Sequence, residues 1–320
     1  MAILGAGTIA NKMAATITRM ETVEAYAIAA RDLDRAQSFA AKYGIEKAYG
    51  SYEQMLADDA VDLVYIAVPH SHHNQFARQC LEAEKHVLCE KPFMVNEKQA
   101  REIYELAESR HLLAAEAMWT RYMPSRDMIR RVIDSGAIGE VTSLTANLGY
   151  ELENVKRIWA PDLAGGALLD VGCYLVHFAR MIFGEQVRSL QSAAVFRNGV
   201  DMADSISMTF EGGKLATMQC NVYAAQDRRG TIFGTKGYLE IQNINNPEQL
   251  RVYNDRYELV EQYEVPAQIT GFEYEVQACV DAIGEGRTEC PQLTHKESVA
   301  SLKVLDEIRA CWMAPEEYRP

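Results

Sequence analysis

Positive charge is scarce in this sequence. Its 320 residues include 32 Lys and Arg against 45 Asp and Glu, which gives a net charge of −13 at pH 7. No tract rich in Lys or Arg offsets this excess. Because contacts to nucleic-acid phosphates need a basic face, we expect no nucleic-acid partner. A uniformly acidic surface mainly favours solubility.

The sequence also lacks cysteine pairs at a regular spacing. The chain has seven cysteines, an odd number, and none of them forms a Cys-x-x-Cys pair. They are scattered along the chain at Cys80, Cys89, Cys173, Cys220, Cys279, Cys290 and Cys311. This usage argues against a disulfide framework and is typical of a reducing compartment, so we predict a cytoplasmic protein.

Long hydrophobic runs are rare as well. No apolar run approaches the roughly 20 residues of a membrane span. Gly5 and Gly7 interrupt the first apolar stretch, and no small-residue cleavage site follows it. We therefore expect neither a membrane span nor a secretory signal. The length and composition, with 48% hydrophobic residues, fit two ordinary globular domains.

Residues 1–118 do contain a repeating alternation of short apolar runs and amphipathic stretches. Strands separated by helices imply parallel βαβ units with right-handed crossovers. We therefore predict an α/β protein whose N-terminal domain, 1–118, is a Rossmann doubly wound parallel sheet. The first strand, 2–4, is either a small strand or the end of a longer one.

Residues 119–320 show a different pattern of apolar and turn-forming residues. Strand-like runs separated by turn residues fill 187–263, and Gly-Gly at 212–213 indicates a hairpin. Two amphipathic helices close the chain, near 271–285 and 296–311, and the last is a candidate to pack back on the first domain. We predict a C-terminal α+β domain with a large, mostly antiparallel open sheet, which binds substrate. An open sheet exposes one face, so we expect a homodimer or homotetramer formed through it.

A Gly-x-Gly-x-x-Ala motif lies between the first strand and the first helix. Gly5 permits the tight turn, Gly7 lets the backbone approach a pyrophosphate, and Ala10 allows close packing of helix on strand. The helix N-terminus, with Thr8 and Ile9, supplies free N–H groups and a partial positive charge for the phosphates. The motif predicts a dinucleotide site. A plain glycine-rich βα turn is the alternative.

The end of the second strand distinguishes the two nicotinamide cofactors. An acidic residue there binds the ribose hydroxyls of NAD, whereas an arginine accommodates the 2′-phosphate of NADP. Arg31 comes first after two alanines, and Asp32 follows it. We predict NADP, held by Arg31. In the alternative, Arg31 is a surface residue, Asp32 binds the ribose, and the cofactor is NAD.

Three further motifs together are similar to one known family. They are E-K-P at 90–92, A-V-P at 67–69 with His73 four residues beyond the proline, and G-G-A-L-L-D-V-G-C-Y at 165–174. The chain resembles the glucose–fructose oxidoreductase / inositol dehydrogenase / rhizopine catabolism (GFO/IDH/MocA) family over essentially its whole length. E-A-M-W-T-R-Y-M-P at 116–124 resembles one branch, the dimeric dihydrodiol dehydrogenases and NADP-dependent D-xylose 1-dehydrogenases.

The resemblance implies which residues carry the chemistry. It implies that Lys91, in E-K-P, lies beside the nicotinamide and the substrate hydroxyl. It also implies an aspartate and a residue four positions later in the second domain, which are Asp170 and Tyr174. Most of the family has histidine at the second position. Tyr174 therefore disfavours an inositol-type dehydrogenase and favours the dihydrodiol/xylose branch.

Further contacts are implied around these residues. Arg121 is expected to contact the cofactor, and Trp119 to lie at the cofactor and line the substrate pocket; an interdomain salt bridge and a packed aromatic are the alternatives. The other cofactor-binding candidates are Pro69, His70, His73 and Glu90, of which His73 starts or caps the next helix. The other substrate-binding candidates are Tyr150 and Trp159. The neighbouring histidines have no suitably spaced carboxylate or cysteine, so we expect no metal site.

Oxidation of a hydroxyl needs a hydride acceptor and a group that takes the hydroxyl proton. Tyr174 can take that proton if a nearby cation lowers its pKa, and Lys91 is the candidate cation. Unperturbed lysine and tyrosine both titrate at about 10, so each needs help at neutral pH. Asp170, one helical turn before Tyr174, is a candidate to bind a substrate hydroxyl and orient Lys91. A surface Lys91 and a core Tyr174 are the alternatives.

The sequence thus predicts an oxidoreductase that transfers a hydride between NADP and the hydroxyl carbon of an aldose, polyol or cyclic trans-diol. A catalytically silent NADP-binding regulator or sensor on the same fold is the alternative. A third possibility is an enzyme that recycles a tightly held cofactor between two sugars. The presence of Lys91, Asp170 and Tyr174 together favours the enzyme.

Overall fold

The computed structural model describes residues 1–184 and 186–312. Within this part of the chain the strands are β1 (Ala2–Leu4), β2 (Ala27–Ala29), β3 (Lys47–Tyr49), β4 (Leu63–Ile66), β5 (His86–Glu90), β6 (Ala114–Ala117), β7 (Val141–Gly149), β8 (Val187–Arg197), β9 (Val200–Phe210), β10 (Leu215–Asn221), β11 (Gly230–Gly234), β12 (Gly237–Ile241), β13 (Gln249–Asn254) and β14 (Leu259–Glu264). The α-helices are α1 (Thr8–Ile17), α2 (Leu33–Tyr43), α3 (Tyr52–Leu56), α4 (His73–Glu82), α5 (Glu97–Ser109), α6 (Pro124–Asp134), α7 (Cys173–Phe183), α8 (Glu273–Gly284) and α9 (His295–Cys311).

The first of two units comprises Met1–Tyr122 and Gln268–Val299. Its six strands are all parallel, in the order β3-β2-β1-β4-β5-β6. Strands β1, β4 and β6 are fully buried, as expected for parallel strands covered by helices on both faces. This order is that of the Rossmann fold, so the predicted doubly wound sheet is confirmed. Ligands of such sheets bind outside the carboxyl ends of β1 and β4, where the strand order reverses.

The segment Gln268–Val299 belongs to this first unit, although the sequence-based division at residue 118 leaves it with the second domain. The cause is the free edge of β6. The Ala114 N–H donates to the Thr288 carbonyl at 3.1 Å, and His295 Nε2 lies 2.9 Å from the Ala114 carbonyl oxygen. Backbone groups of an edge strand need such partners when they are buried. The first turn of α9 therefore packs on the Rossmann sheet.

The second unit comprises Met123–Ala267 and the described residues from Ala300 onward. Its eight-stranded sheet has the order β14-β13-β12-β11-β7-β10-β9-β8, and only the β7–β10 pair is parallel. The predicted mostly antiparallel open sheet is therefore confirmed. Residues along β9 and β10 alternate between buried and exposed. The buried face is covered by α7, which packs on β7 and β10.

One helical stretch is long and apolar enough to cross a membrane by length and composition alone, Pro161–Phe183. Asp162, Asp170 and Arg180 interrupt the stretch, so it is not a continuous apolar run. Of its most apolar window, 83% is buried inside the protein. A helix that is buried on nearly all sides has apolar residues around its whole circumference. The stretch is the core helix of the second unit.

Candidate active site

The glycine turn leaves β1 and enters α1 at the switch point of the first sheet. Gly5 has a φ of +103°, and a Cβ there would lie 2.6 Å from the Ala67 carbonyl oxygen, so only glycine fits. At Gly7 a Cβ would meet only that same oxygen, at 3.9 Å, so the backbone is open on this side. Gly7 caps α1 without a side-chain hydrogen bond, which leaves the first N–H groups to a ligand. These features fit a dinucleotide pyrophosphate.

Two arginines follow β2, of which sequence reasoning identified only one. Arg31 is exposed, and Arg35 on α2 donates from its guanidinium to the Ala6 carbonyl of the glycine turn at 2.7 Å. Burial raises the pKa of Tyr52, and the charges of Arg31 and Arg35 both oppose that rise. The two cations therefore lie near one hydroxyl. The spacing of four residues between Arg31 and Arg35, at the start of α2, was the sequence signal that could have identified the second arginine.

Asp32 is already committed to the helix that follows. Its carboxylate accepts the Arg35 N–H at 3.0 Å and so caps α2. N-capping by aspartate typically contributes about 1 kcal/mol. The cap uses Oδ1, so Oδ2 of this exposed carboxylate is the oxygen left for a ribose hydroxyl. Two arginines and one partly engaged carboxylate therefore follow β2.

The turn after β4 carries Pro69 and the histidines. Pro69 is half-buried, His70 is buried, and His73 begins α4 as predicted. The ring of His73 is fully buried, with Nδ1 3.0 Å from the Pro92 carbonyl oxygen and Nε2 3.0 Å from that of Val68. Burial lowers the pKa of His73 to about 4, so the ring is neutral near pH 7.

The sequence predicts that His73 contacts the cofactor. In the structure its ring is fully buried between protein carbonyls. His73 instead lies between the end of β4 and the E-K-P turn, where its single N–H donates to one of these carbonyls and the ring packs against the other. Sequence spacing identified an important histidine but not the direction of its side chain.

The E-K-P turn follows β5 and is held by buried carboxylates. Glu90 accepts hydrogen bonds from the Tyr65 hydroxyl and, at 3.2 Å, from the Lys91 N–H. The Lys91–Pro92 bond is cis. Glu116 on β6 accepts the Phe93 N–H at 3.1 Å. Each hydrogen bond to a charged group contributes about 1.5–3 kcal/mol, so the backbone beneath Lys91 is firmly held.

Lys91 itself is half-buried, at the carboxyl end of β5. β5 is hydrogen-bonded to β4, and β4 to β1, so these strands end at the same edge of the sheet as the glycine turn. An ammonium at that edge lies on the side where a bound dinucleotide would extend. Glu90, predicted to bind the cofactor, is buried and supports the turn from within.

Trp119 takes part in an aromatic–cation contact that the sequence did not reveal. Lys12 Nζ lies 4.3 Å from the Trp119 ring centroid and 4.2 Å from that of Phe272. The two rings meet edge to face at 5.0 Å. Burial lowers the pKa of Lys12, while the charge of Glu275 opposes that shift. Trp119 is 5% exposed and packs against Phe272 and Lys12.

Arg121 forms an ion pair in place of the expected cofactor contact. Its guanidinium donates to Glu297 Oε1 at 2.7 Å and is 3% exposed as a residue. Burial raises the pKa of Glu297, but Arg121 and the hydrogen bonds from Thr294 outweigh it and lower the pKa overall. Arg121 and Glu297 both belong to the first unit, so the pair is not the interdomain bridge considered above.

In the second unit, Asp170 and Tyr174 are both buried, at 4% and 9% exposure. The predicted helix is present, but Leu168–Gly172 is a π-helical turn, and α7 begins at Cys173. The simple spacing of one α-helical turn between Asp170 and Tyr174 is therefore wrong. Single π turns inside helices occur frequently at functional sites.

Asp170 has a partner that no sequence pattern indicated. Arg157 Nη1 lies 2.8 Å from Asp170 Oδ1, and the arginine side chain is 40% exposed. The pair places a half-exposed cation next to a buried carboxylate. Arg157 lies on a short 3₁₀ turn, Lys156–Trp159, thirteen positions earlier in the chain. Because Arg157 and Asp170 lie on two different turns, no helical or strand periodicity in the sequence relates the two residues.

Tyr150 and Trp159 both lie next to arginines. The Tyr150 hydroxyl accepts a hydrogen bond from Asn245 at 3.0 Å, and the Arg228 guanidinium is 5.6 Å from its ring. Trp159 donates to the Leu152 carbonyl at 3.3 Å, and Arg197 lies 5.5 Å from its ring. Both aromatics are half-buried. Among the residues that the structure describes, no group of three or more His, Cys, Asp or Glu is arranged to hold a metal.

Family models match both parts of the chain. Residues 1–117 match GFO_IDH_MocA, described as an oxidoreductase family with an NAD-binding Rossmann fold. Residues 127–240 match the GFO/IDH/MocA C-terminal domain.

Curated relatives match over nearly the full length. A trans-1,2-dihydrobenzene-1,2-diol dehydrogenase from Mus musculus is 34% identical, covering 96% of this chain and 95% of the relative. The enzyme of the same description from Homo sapiens is also 34% identical, with the same coverage.

Solved structures are similar as well. A 3-ketoreductase from Actinomadura kijaniata in complex with NADP and TDP-benzene has a TM-score of 0.89 and 25% identity, covering 97% of this chain and 96% of that one. An aldose–aldose oxidoreductase from Caulobacter crescentus has a TM-score of 0.87 and 21% identity, with the same coverage, and shows the fold alone.

Proposed function

Because the chain belongs to the GFO/IDH/MocA oxidoreductase family, we propose that it oxidises a hydroxyl of a cyclic trans-diol, an aldose or a polyol with NADP. The observation that carries the proposal is the E-K-P turn, held by Glu90 and Glu116 at the same sheet edge as the glycine turn. The dihydrodiol dehydrogenases among the relatives support a diol as the first substrate to test. A catalytically inactive regulator would not require a lysine on so firmly held a turn.

NADP is the proposed cofactor, and it would supply the acceptor of the hydride. The residues that would hold it are the N-terminus of α1, Arg31 and Arg35. Support comes from the two arginines near the glycine turn. The ketoreductase relative was solved with NADP bound. NAD is the second choice.

Substitution of Arg31 should change cofactor preference. We expect Arg31→Ala to raise the KM for NADP about 10- to 100-fold, because a charged hydrogen bond contributes about 1.5–3 kcal/mol. The KM for NAD, which lacks the 2′-phosphate, should stay near its original value. Steady-state kinetics with both cofactors measures the effect. Arg101→Ala, which removes only a helix-surface pair with Glu97, is the control. An equal rise for both cofactors would contradict this assignment.

The proposed catalytic residues are Lys91, Asp170 and Tyr174. The carbinol C–H bond breaks and its electron pair leaves with the hydride, while the O–H proton passes to Tyr174 and the carbonyl forms. Lys91 hydrogen-bonds the substrate oxygen and favours the tyrosinate, and Asp170 binds a neighbouring hydroxyl. Variants of one lysine and one tyrosine of the ketoreductase relative were also solved, the same residue types.

The remaining proposed contacts surround this chemistry. On the cofactor side they are Pro69 and His70, with Glu90 acting through the turn. On the substrate side we propose Trp119, Tyr150 and Trp159. The arginines next to Tyr150 and Trp159 would hold those rings in place by cation–π contact.

We also infer a homodimer or homotetramer in the cytoplasm. Large apolar side chains are exposed on the second sheet, among them Val195 on β8, Leu215 on β10 and Leu259 on β14. Exposed apolar groups on one sheet support an interface between copies. Six of the seven cysteines are buried, and their odd number and scattered positions support a reducing compartment.

A substrate screen tests the proposed function. Purified protein is incubated with NADP or NAD and with aldoses, inositols and trans-dihydrodiols, while absorbance of the reduced cofactor is followed. We expect turnover with NADP on a diol or an aldose. Tight NADP binding without turnover on any polyol would overturn the proposal and support a sensor. Nucleotide that remains bound through purification would support recycling of a held cofactor between two sugars.

A further inference from the structure

Two buried carboxyl groups lie beneath the π turn that carries Asp170. Asp201 and Asp204 are on β9 and are buried at 9% and 2% exposure. Asp201 Oδ2 accepts the Leu168 N–H at 2.6 Å, at the first residue of the turn. The same carboxylate lies so close to Gly166, whose φ is +108°, that any Cβ there would overlap it. Asp201 therefore fixes the start of the turn.

The other end of the turn is reached through Asp204. Its Oδ2 accepts the Cys220 thiol hydrogen at 2.9 Å. The Cys220 sulfur in turn packs on Gly172, where a Cβ would lie 3.0 Å from it. Asp204 and Asp201 are also hydrogen-bonded to each other. A continuous chain of Cys220, Asp204 and Asp201 thus touches both ends of the five-residue π turn.

A hydrogen bond between two carboxyl groups requires one proton. Burial, and then the charge of Asp201, raise the pKa of Asp204 to about 9, so Asp204 is the protonated partner. Burial raises the pKa of Asp201 as well, while the hydrogen bonds from the Leu168 N–H and from Asp204 oppose that shift. Asp204 faces Ala194 on β8 and Cys220 on β10. On the π turn, the charged group is Asp170, which is paired with Arg157.

We propose that Asp201 and Asp204 are positioning residues, a carboxyl pair with one shared proton that holds the π turn and so places Asp170. The proposal rests on the catalytic role proposed for Asp170. Neither carboxylate touches substrate. Their contribution is geometric, because a displacement of about 1 Å in a reacting group can reduce the rate about 10²-fold.

Kinetics of three variants tests the geometric part. Asp201→Ala removes the acceptor of the Leu168 N–H and should lower kcat on the order of 10²-fold, with NADP affinity unchanged. Asp204→Asn retains a donor to Asp201 and an acceptor for Cys220, so it should retain more of kcat than Asp204→Ala. Met208→Ala, on the same strand opposite Leu190 and Ala216, controls for general destabilisation. Asp201→Asn replaces Asp201→Ala if the alanine variant does not fold.

Thermal stability against pH tests the shared proton without any substrate. Asp204 is protonated in the folded protein up to pH about 9 but ionises at about 3.9 when unfolded. The unfolded state binds fewer protons in this window, so the stability that Asp204 contributes falls as pH rises through it. Asp204→Asn has no such proton. Its Tm relative to the original protein should therefore increase steadily from pH 5 to pH 9.

The outcomes separate the two proposals. A Tm difference that does not change with pH would overturn the shared proton. A kcat for Asp201→Ala no lower than that of Met208→Ala would overturn the positioning role. If no diol or aldose is oxidised by the unmodified protein, the proposed function fails, while the pH series still decides whether the carboxyl pair exists.

Discussion

Replacement of Lys91 by methionine should reduce kcat about 10²- to 10⁴-fold while NADP still binds with nearly unchanged affinity. Methionine preserves the length and the apolar stem of lysine but has no ammonium. The backbone of the E-K-P turn is held by Glu90 and Glu116, through main-chain N–H groups that the substitution does not alter. The turn should therefore keep its shape. The loss then reports the charge and hydrogen bonds of one side chain.

Three measurements make this prediction specific to Lys91. NADP affinity is measured by fluorescence titration, Tm by thermal unfolding, and kcat by reduced-cofactor absorbance. Lys98→Met is the matched control, because Lys98 is 85% exposed on α5 and forms only a 4.0 Å pair with Glu102. Its kcat should not change. A Lys91→Met protein that turns over at the original rate would exclude the proposed mechanism while leaving the fold assignment intact.

The Rossmann part of the fold was predictable because its signals are local. Strands β1, β4 and β5 are apolar runs followed by glycine or proline, and their helices have caps that the sequence shows. The Asn96 side-chain oxygen Oδ1 accepts the Gln99 N–H at 2.9 Å and caps α5, and the Ser51 side chain caps α3 in the same way. β3 was missed because it has three residues and lies exposed at the sheet edge. The position of so short a strand is determined by hydrogen bonding to the neighbouring strand and not by an apolar pattern in its own sequence.

The second sheet was harder to delimit. β14 is exposed along its entire length, so it has no apolar alternation to detect. β8 alternates only weakly, and its strand character comes from pairing with β9 over eleven residues. The parallel β7–β10 pair joins segments far apart in the chain, which no local pattern predicts. Only the class of the sheet, and not its order, could be inferred.

The candidate site shows the same limit. Motifs identified Lys91, Asp170 and Tyr174, but not the groups that act on them from other segments. Arg157 reaches Asp170 from a separate turn, and Lys12 meets Trp119 from α1. Such partners are defined by tertiary packing. His73 and Arg121 were correctly singled out, but burial directs both side chains to protein partners.

Removal of a single oxygen from Tyr174 should lower kcat about 10²- to 10⁴-fold. In Tyr174→Phe the ring remains, so a side chain that is 9% exposed keeps its packing and the Tm should change little. The group that takes the substrate proton is lost. The acidic limb of the kcat–pH profile, where a protonated base cannot take the substrate proton, should disappear in the variant. Tyr253→Phe, whose ring stacks on Tyr238 in the second sheet, should show neither effect.

A double variant decides whether Tyr174 and Lys91 act on the same proton. Residues that work as a unit give non-additive losses, so Lys91→Met with Tyr174→Phe should reduce kcat no more than about as much as the more severe single change. Losses that multiply would mean that the lysine and the tyrosine act in separate steps. A Tyr174→Phe protein with the kcat and pH profile of the Tyr253→Phe control would remove Tyr174 from the mechanism. In that case the oxidation would need a different proton acceptor, with Asp170 the next residue to test.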